Sequence, residues 1–268
     1  MACCLLPKDQ LTLYMNCNLE YTGERMLPDA TDDTTFWAHV ERYRFACSRA
    51  RGKDVLDVAC GEGYGSAALA KGGARSVIGV DIAPEVVEHA RLCYQIDARV
   101  GSAESIPVES NSVDLVVSFE TIEHVEHPGQ FLEECARVLR PGGVLIVSTP
   151  NLKISKNGPK NPFHCSEMDL QELQNILAKR FEGVSLFGQS TPWITRARGF
   201  RSLAGMVRRA CDPVRAEVLT DAIRSKVVDL CLRPASKIGF LVTSDTVRSM
   251  SRRGLDRAIF IVAVAHKK

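Results

Sequence analysis

Residues 55–66 read VLDVACGEGYGS, and the fold follows from them. Residues 55–58 are a short apolar run carrying one acid, Asp57. The run breaks into Gly61, Gly63 and Gly65 at alternate positions, followed by the small residues Ser66, Ala67 and Ala68. That is the pattern of a buried strand, a tight glycine turn and the start of a helix. Glycine stands where a backbone turns sharply and lets a ligand come close, because a Cβ would collide with it. The first turn of the helix then points unpaired N–H groups over the loop, and a nucleotide-like ligand suits that position.

A second apolar run, residues 76–80, ends at Asp81, about twenty residues past the first glycine, where a carboxylate can accept ribose hydroxyls. A dinucleotide fingerprint would place glycine or alanine where Ser66 stands, so that match is imperfect. The stretch resembles motif I and the acidic second motif of class I S-adenosylmethionine-dependent methyltransferases. Their acid-x-G-x-G-x-G pattern falls here on Asp57, Ala59, Gly61 and Gly63, with Ala59 in place of the first glycine. The resemblance implies S-adenosyl-L-methionine as cofactor, with Asp57, Ala59, Gly61, Gly63, Asp81 and Ile82 among its contacts. It also implies that the loop carrying Ser102, Ala103 and Glu104 closes against adenine, with Phe119 beside the site. The family often has an acid where Ser102 stands; the Ser102 hydroxyl or the Ala103 amide substitutes for it here.

At 268 residues the chain suffices for one large α/β domain with material left for a lid or subdomain. Charged residues make up 25% and the net charge is +2, so the overall balance demands neither nucleic acid nor a membrane as partner. No apolar run reaches membrane-spanning length and no signal-peptide pattern opens the chain, which reads as a soluble, cytoplasmic protein. Its 10 cysteines form no C-x-x-C pair, and Cys60 lies inside the glycine loop, so they read as thiols in a reducing compartment.

Before the loop, Tyr21, Gly23 and Arg25 precede a helix that begins near Thr34 or Thr35. This arm either folds over the cofactor, through Tyr21 and Arg25, or packs on the surface. Phe36, Trp37, Val40, Tyr43 and Phe45 give the helix one aromatic face, and it covers the sheet; His39 and Arg42 lie on it. After Asp81, Pro84 opens a helix, residues 97–101 a strand and residues 113–119 a mid-sheet strand. A helix over 129–139 stops at the turn Arg140-Pro141-Gly142-Gly143, a strand over 144–148 follows, and residues 167–181 form an amphipathic helix. Strands are expected at 183–187 and 258–265. The expected fold is α/β and Rossmann-like: a doubly wound, mostly parallel seven-stranded sheet with an N-terminal helical cover and a helical insertion before the last strand. Its divisions are 1–52 (arm and cover helix), 53–189 (cofactor-binding core), 190–257 (insertion) and 258–268 (terminal strand). The insertion holds fourteen basic and six acidic residues, suiting either an anionic ligand or a helical lid or homo-oligomer contact.

Methyl transfer requires an aligned acceptor that loses a proton. After the fourth strand come Glu120, Glu123 and His124, which at i, i+3 and i+4 would share a face on a helical turn. Two carboxylates with an imidazole invite a divalent metal, and His164, in Asn161-Pro162-Phe163-His164, supplies a fourth ligand. The alternative is that Glu123 and His124 open a solvated turn while His164 caps the next helix; His127 reads as incidental. The E-x-x-E-H pattern resembles the metal motif of ubiquinone-pathway O-methyltransferases and small-RNA 2′-O-methyltransferases. Together with Tyr21 to Arg25, Thr149-Pro150-Asn151 and Asn161 to His164, it resembles bacterial methyltransferases of polysaccharide and glycolipid loci. The resemblance implies O-methylation of a carbohydrate or glycoside, with Glu120, His124 and His164 catalytic and Mg or Mn held by Glu120, Glu123, His124 and His164. Other acceptors are RNA and small phenolic molecules. No basic stretch interleaved with aromatics stacks bases, which argues against nucleic acid.

Overall fold

The computed structural model describes residues 33–158, 161–189 and 247–268. Its centre is an eight-stranded sheet in the order β3-β2-β1-β4-β5-β8-β6-β7. Strands β1 (Asp54–Val58), β2 (Ser76–Asp81), β3 (Asp97–Val100), β4 (Val113–Phe119) and β5 (Leu139–Pro150) run parallel. Strand β8 (Phe260–Lys267) is antiparallel to both β5 and β6 (Phe181–Gln189), and β7 (Val247–Ser249) pairs antiparallel with the end of β6. The sequence predicts seven strands; the eighth, β7, lies in the stretch read as the insertion and is too short to leave a period-two pattern.

Strands β1 and β4 are buried on both faces, and alternate residues serve opposite layers. Leu56, Val58 and Val116 pack with Phe131 and Leu132 of α4 (Pro128–Val138). On the other face, Val55, Leu115 and Val117 pack with Val40 and Tyr43 of α1 (Asp33–Ala50) and Leu69 of α2 (Tyr64–Lys71). Helix α3 (Pro84–Tyr94) opens on proline, as its sequence predicts.

Two boundaries differ from expectation. The helix expected over 129–139 does end just before Arg140, at Val138, but Arg140 to Gly143 belongs to β5 as a bulge between the pairs Val113 with Leu139 and Leu115 with Val144. Arg140 Nη1 fastens it, reaching Asp114 at 2.6 Å and Asp54 at 2.9 Å. The helix expected over 167–181 is α6 (Leu170–Ala178), because Asp169 and Glu172 form a reciprocal capping box and Phe181 already belongs to β6. Short helices α5 (Leu152–Ser155) and α7 (Arg252–Leu255) complete the described elements. Tyr21 and Arg25, and residues 190–246 of the basic stretch, lie outside the described residues. No described helix is long and apolar enough to cross a membrane.

Candidate active site

The parallel strands end at one edge, and the loops leaving β1, β2, β3, β4 and β5 gather there. Leaving β1, Ala59 has φ 57° and Gly61 φ 56°, both left-handed. Alanine in that region is strained by about 1–2 kcal/mol, which explains the glycine of the resembling pattern. A Cβ on Gly61 would meet nothing within 4 Å, so this loop leaves room on its outer side. Gly61 N donates to Asp81 Oδ2 at 2.9 Å and Ala83 N to Asp81 Oδ1 at 3.1 Å, so one carboxylate joins the two loops. Each of its oxygens has acceptor capacity beyond one amide. Beside it Ile82 is 72% exposed.

Asp57 sits beneath the loop, fully buried. Ser66 Oγ donates to it at 2.7 Å and the Tyr43 hydroxyl lies 3.2 Å from both its oxygens. Burial pushes its pKa up to about 7, against the pull of Ser66 and Tyr43. It therefore braces the loop from beneath, through Ser66 and Tyr43. Tyr43 fills the space a side chain on Gly65 would need, with a ring carbon 2.0 Å from the ideal Cβ position. Phe119, 4% exposed, stands edge-on to Tyr43 with centroids 5.1 Å apart and also belongs to the underside. Gly63 caps α2 and lies against Ala90 of α3. Sequence reasoning placed Tyr43 on an aromatic face and assigned Ser66 no role; their polar groups carry no periodic signal.

The loop after β3 closes on the protein itself. Glu104 accepts from His127 N at 2.7 Å, and its other oxygen lies 3.3 Å from His127 Nδ1. The His127 amide, above all, holds its pKa down. Glu104 is thus turned to the start of α4, with His127 as its partner. Ser102 Oγ accepts from Glu104 N at 3.1 Å, and Ala103 is partly buried against the core.

At the end of β4, Glu120 has φ 53°. Ser148 Oγ donates to its Oε1 at 2.6 Å and accepts from its amide at 3.1 Å; buried Arg42 Nη1 lies 3.9 Å from the same oxygen. The left-handed residue and the non-helical turn that follows keep Glu120 from sharing a face with Glu123 and His124, as helical spacing predicts. Glu123, His124 and His164 do converge, offering one ligand atom each within 4.8 Å of one another. The two imidazoles meet edge-on with centroids 4.8 Å apart.

Glu123 is fully buried; its own amide and the Thr149 hydroxyl lie close enough to favour the charged carboxylate, but neither oxygen makes a hydrogen bond of full geometry. Burial first, then the Glu120 charge, pushes its pKa well up, with weaker opposing pulls from its backbone, Thr149 and Arg42. The carbonyl of Glu123 accepts from Cys165 N at 2.7 Å and Ser166 N at 2.9 Å, which pins the His164 segment against the turn. His124 Nδ1 lies 3.0 Å from the Phe163 carbonyl, so Nδ1 donates and Nε2 keeps its lone pair. His164 caps no helix; its Nδ1 lies 2.6 Å from Glu167 Oε1 and its Nε2 2.9 Å from Asn161 Nδ2. A buried carboxylate beside two imidazoles is a donor set that fits a divalent cation. Glu167 was missed in the sequence, although its i+3 offset from His164 was a usable signal.

The family described as Methyltransferase domain matches residues 56–147. A Mycolicibacterium smegmatis protein named "Probable S-adenosylmethionine-dependent methyltransferase" is 35% identical over 260 residues, spanning 92% of this chain and 95% of its own. This chain belongs to the class I S-adenosylmethionine-dependent methyltransferases. The methyltransferase is also 44% identical over 106 residues to a ubiquinone biosynthesis O-methyltransferase of Xanthomonas oryzae, covering 37% of this chain and 44% of that one. A solved structure of an S-adenosylmethionine-dependent methyltransferase from Archaeoglobus fulgidus shares the fold. Its TM-score is 0.55 at 17% identity, over 87% of this chain and 94% of that one. The methyltransferase is thus a transferase whose cofactor is S-adenosyl-L-methionine.

Proposed function

We propose that the methyltransferase methylates a hydroxyl of a sugar, oligosaccharide or glycoside, with a divalent metal, Mg or Mn, held by Glu123, His124 and His164. The observation that carries this reading is the convergence of the buried Glu123 carboxylate, which has no hydrogen bond of full geometry, with two imidazoles. Burying such a carboxylate alone costs several kcal/mol, and a bound cation offsets that cost. When bound, the metal supplies Lewis acidity that lowers the pKa of a coordinated hydroxyl. Vicinal hydroxyls match it with two adjacent oxygens, and the resemblance to enzymes of polysaccharide loci supports a sugar as their source.

Glu120, 19% exposed and fixed through one oxygen by Ser148, is the base we assign to take the acceptor proton. On the donor side, Asp81 takes the ribose hydroxyls, Ile82 covers adenine, the Ala59–Gly61 backbone lines the loop, and Ser102 and Ala103 border the base. Asp57, Gly63 and Phe119 act from beneath and Glu104 by shaping its loop. S-adenosyl-L-methionine supplies the electrophilic methyl group. The basic stretch is assigned to acceptor or subunit contact. It departs from Gln189, whose Oε1 accepts from Arg42 Nη1 at 2.8 Å, the same guanidinium that approaches Glu120.

A second reading, a small phenolic acceptor, draws on the ubiquinone biosynthesis relative, since a catechol also offers adjacent oxygens. The test is transfer of labelled methyl to methyl glycosides with vicinal diols, and to catechol, before and after chelator treatment. Glycoside methylation that disappears with chelator and returns with Mn supports the proposal. Transfer to catechol alone replaces it with the second reading, and chelator-insensitive transfer removes the metal.

A further inference from the structure

Both ring nitrogens of His164 are engaged, and the partners fix which one carries the proton. Asn161 Oδ1 accepts from Phe163 N at 3.0 Å, which orients the amide so that its NH2 group faces His164 Nε2 at 2.9 Å. An N–H facing Nε2 makes that nitrogen the acceptor, so Nδ1 carries the hydrogen and donates to Glu167 Oε1 at 2.6 Å. Glu167 is itself held, since Ser155 Oγ donates to its Oε2 at 2.6 Å. Ser155 N donates to the carbonyl of Asn151, and the Asn151 side chain donates to the carbonyls of Leu255 and Ala258 at 3.1 and 2.9 Å. A connected path therefore runs from the end of β5 through α5 and Glu167 to one nitrogen of His164.

We propose that Glu167 is a positioning residue that holds His164 as the Nδ1–H tautomer, leaving the Nε2 lone pair as its metal-ligating atom; this rests on the metal reading above. A carboxylate on the far nitrogen fixes the ring and raises its basicity, and loss of such a partner weakens metal affinity about 10–100-fold. Asn161 occupies the lone pair otherwise, so its amide is the group that a metal replaces at Nε2.

The test uses full-length, chelator-treated protein with Mn2+ as the titrant, and S-adenosylhomocysteine binding and thermal melting as controls. Glu123→Gln is expected to abolish Mn2+ binding. Glu167→Ala weakens it roughly 10–100-fold with S-adenosylhomocysteine affinity unchanged, and Glu167→Gln, which keeps an oxygen for the Nδ1 hydrogen, restores most of it. Nitrogen-15 imidazole spectra without metal should show the Nδ1–H tautomer of His164 in wild type and Glu167→Gln. If Glu123→Gln loses Mn2+ while Glu167→Ala binds like wild type, the positioning role is wrong and the metal reading stands. An Nε2–H tautomer in the wild type also overturns it. If the wild type itself takes up no Mn2+, the metal reading falls and the inference with it.

Discussion

The two halves of the crevice satisfy their polar groups in opposite ways. Around the β1 and β2 ends the acids have protein partners: Asp57 has Ser66 and Tyr43, and Asp81 has two backbone amides. Around the β4 and β5 ends, Glu123 and Thr149 are buried with no hydrogen bond of full geometry. The first half is complete as protein and stands ready for its cofactor. On the metal reading proposed above, a bound cation completes the second and offsets the cost of burying the Glu123 carboxylate.

Removing the Glu123 carboxylate tests that contrast most severely. Glu123→Ala should lower methyl transfer by roughly 100-fold or more, with S-adenosylhomocysteine affinity by calorimetry changed less than about twofold. A large loss of that affinity would mean the halves are not separate. Glu123→Leu should raise the metal-free unfolding free energy by about 1–3 kcal/mol, and a decrease would show that Glu123 is already satisfied.

Damage to the self-satisfied half should do the reverse. Gly65→Ala drives a Cβ into the Tyr43 ring, so urea unfolding should report a loss of about 1–3 kcal/mol and weaker cofactor binding, with Mn2+ affinity intact. Asp57 gives a finer probe. It ionises near 4 in the unfolded chain and at about 7 in the fold, so the native state holds the extra proton between these values. Its stabilising contribution is complete below the lower value and disappears as pH rises through the upper one. Between about pH 5 and about pH 8 the urea midpoint of Asp57→Asn should therefore fall less than that of wild type; equal slopes would exclude Asp57 as the titrating support. The smallest effect belongs to Ala59→Gly. Relief of left-handed strain, partly offset by the entropy of the unfolded chain, should leave a gain of about 0.5 kcal/mol in thermal unfolding.

The cofactor half was legible because its information is local. A strand, a glycine turn and an acid at a fixed distance name their own geometry, and β4 begins and ends at the predicted residues. At the β4 and β5 ends, Glu123, His124 and His164 come together, and Glu120 is not one of that group. Glu120 fails the i, i+3, i+4 pattern because its left-handed backbone turns it to Ser148, a partner 28 residues away. The capping box at Asp169 and Glu172 was present in the sequence and simply outweighed by the longer apolar periodicity. The Arg140 bulge depends on Asp54 and Asp114, which no local pattern around residues 140–143 announces.

Gln189 and Val247 are direct cross-strand partners, so the described residues on either side of 190–246 face each other. Opposed antiparallel residues stand about 5 Å apart, a distance that a tight hairpin bridges. A two-residue turn from Gln189 to Val247 is therefore long enough to join β6 to β7 directly, in the register that β6, β7 and β8 already hold.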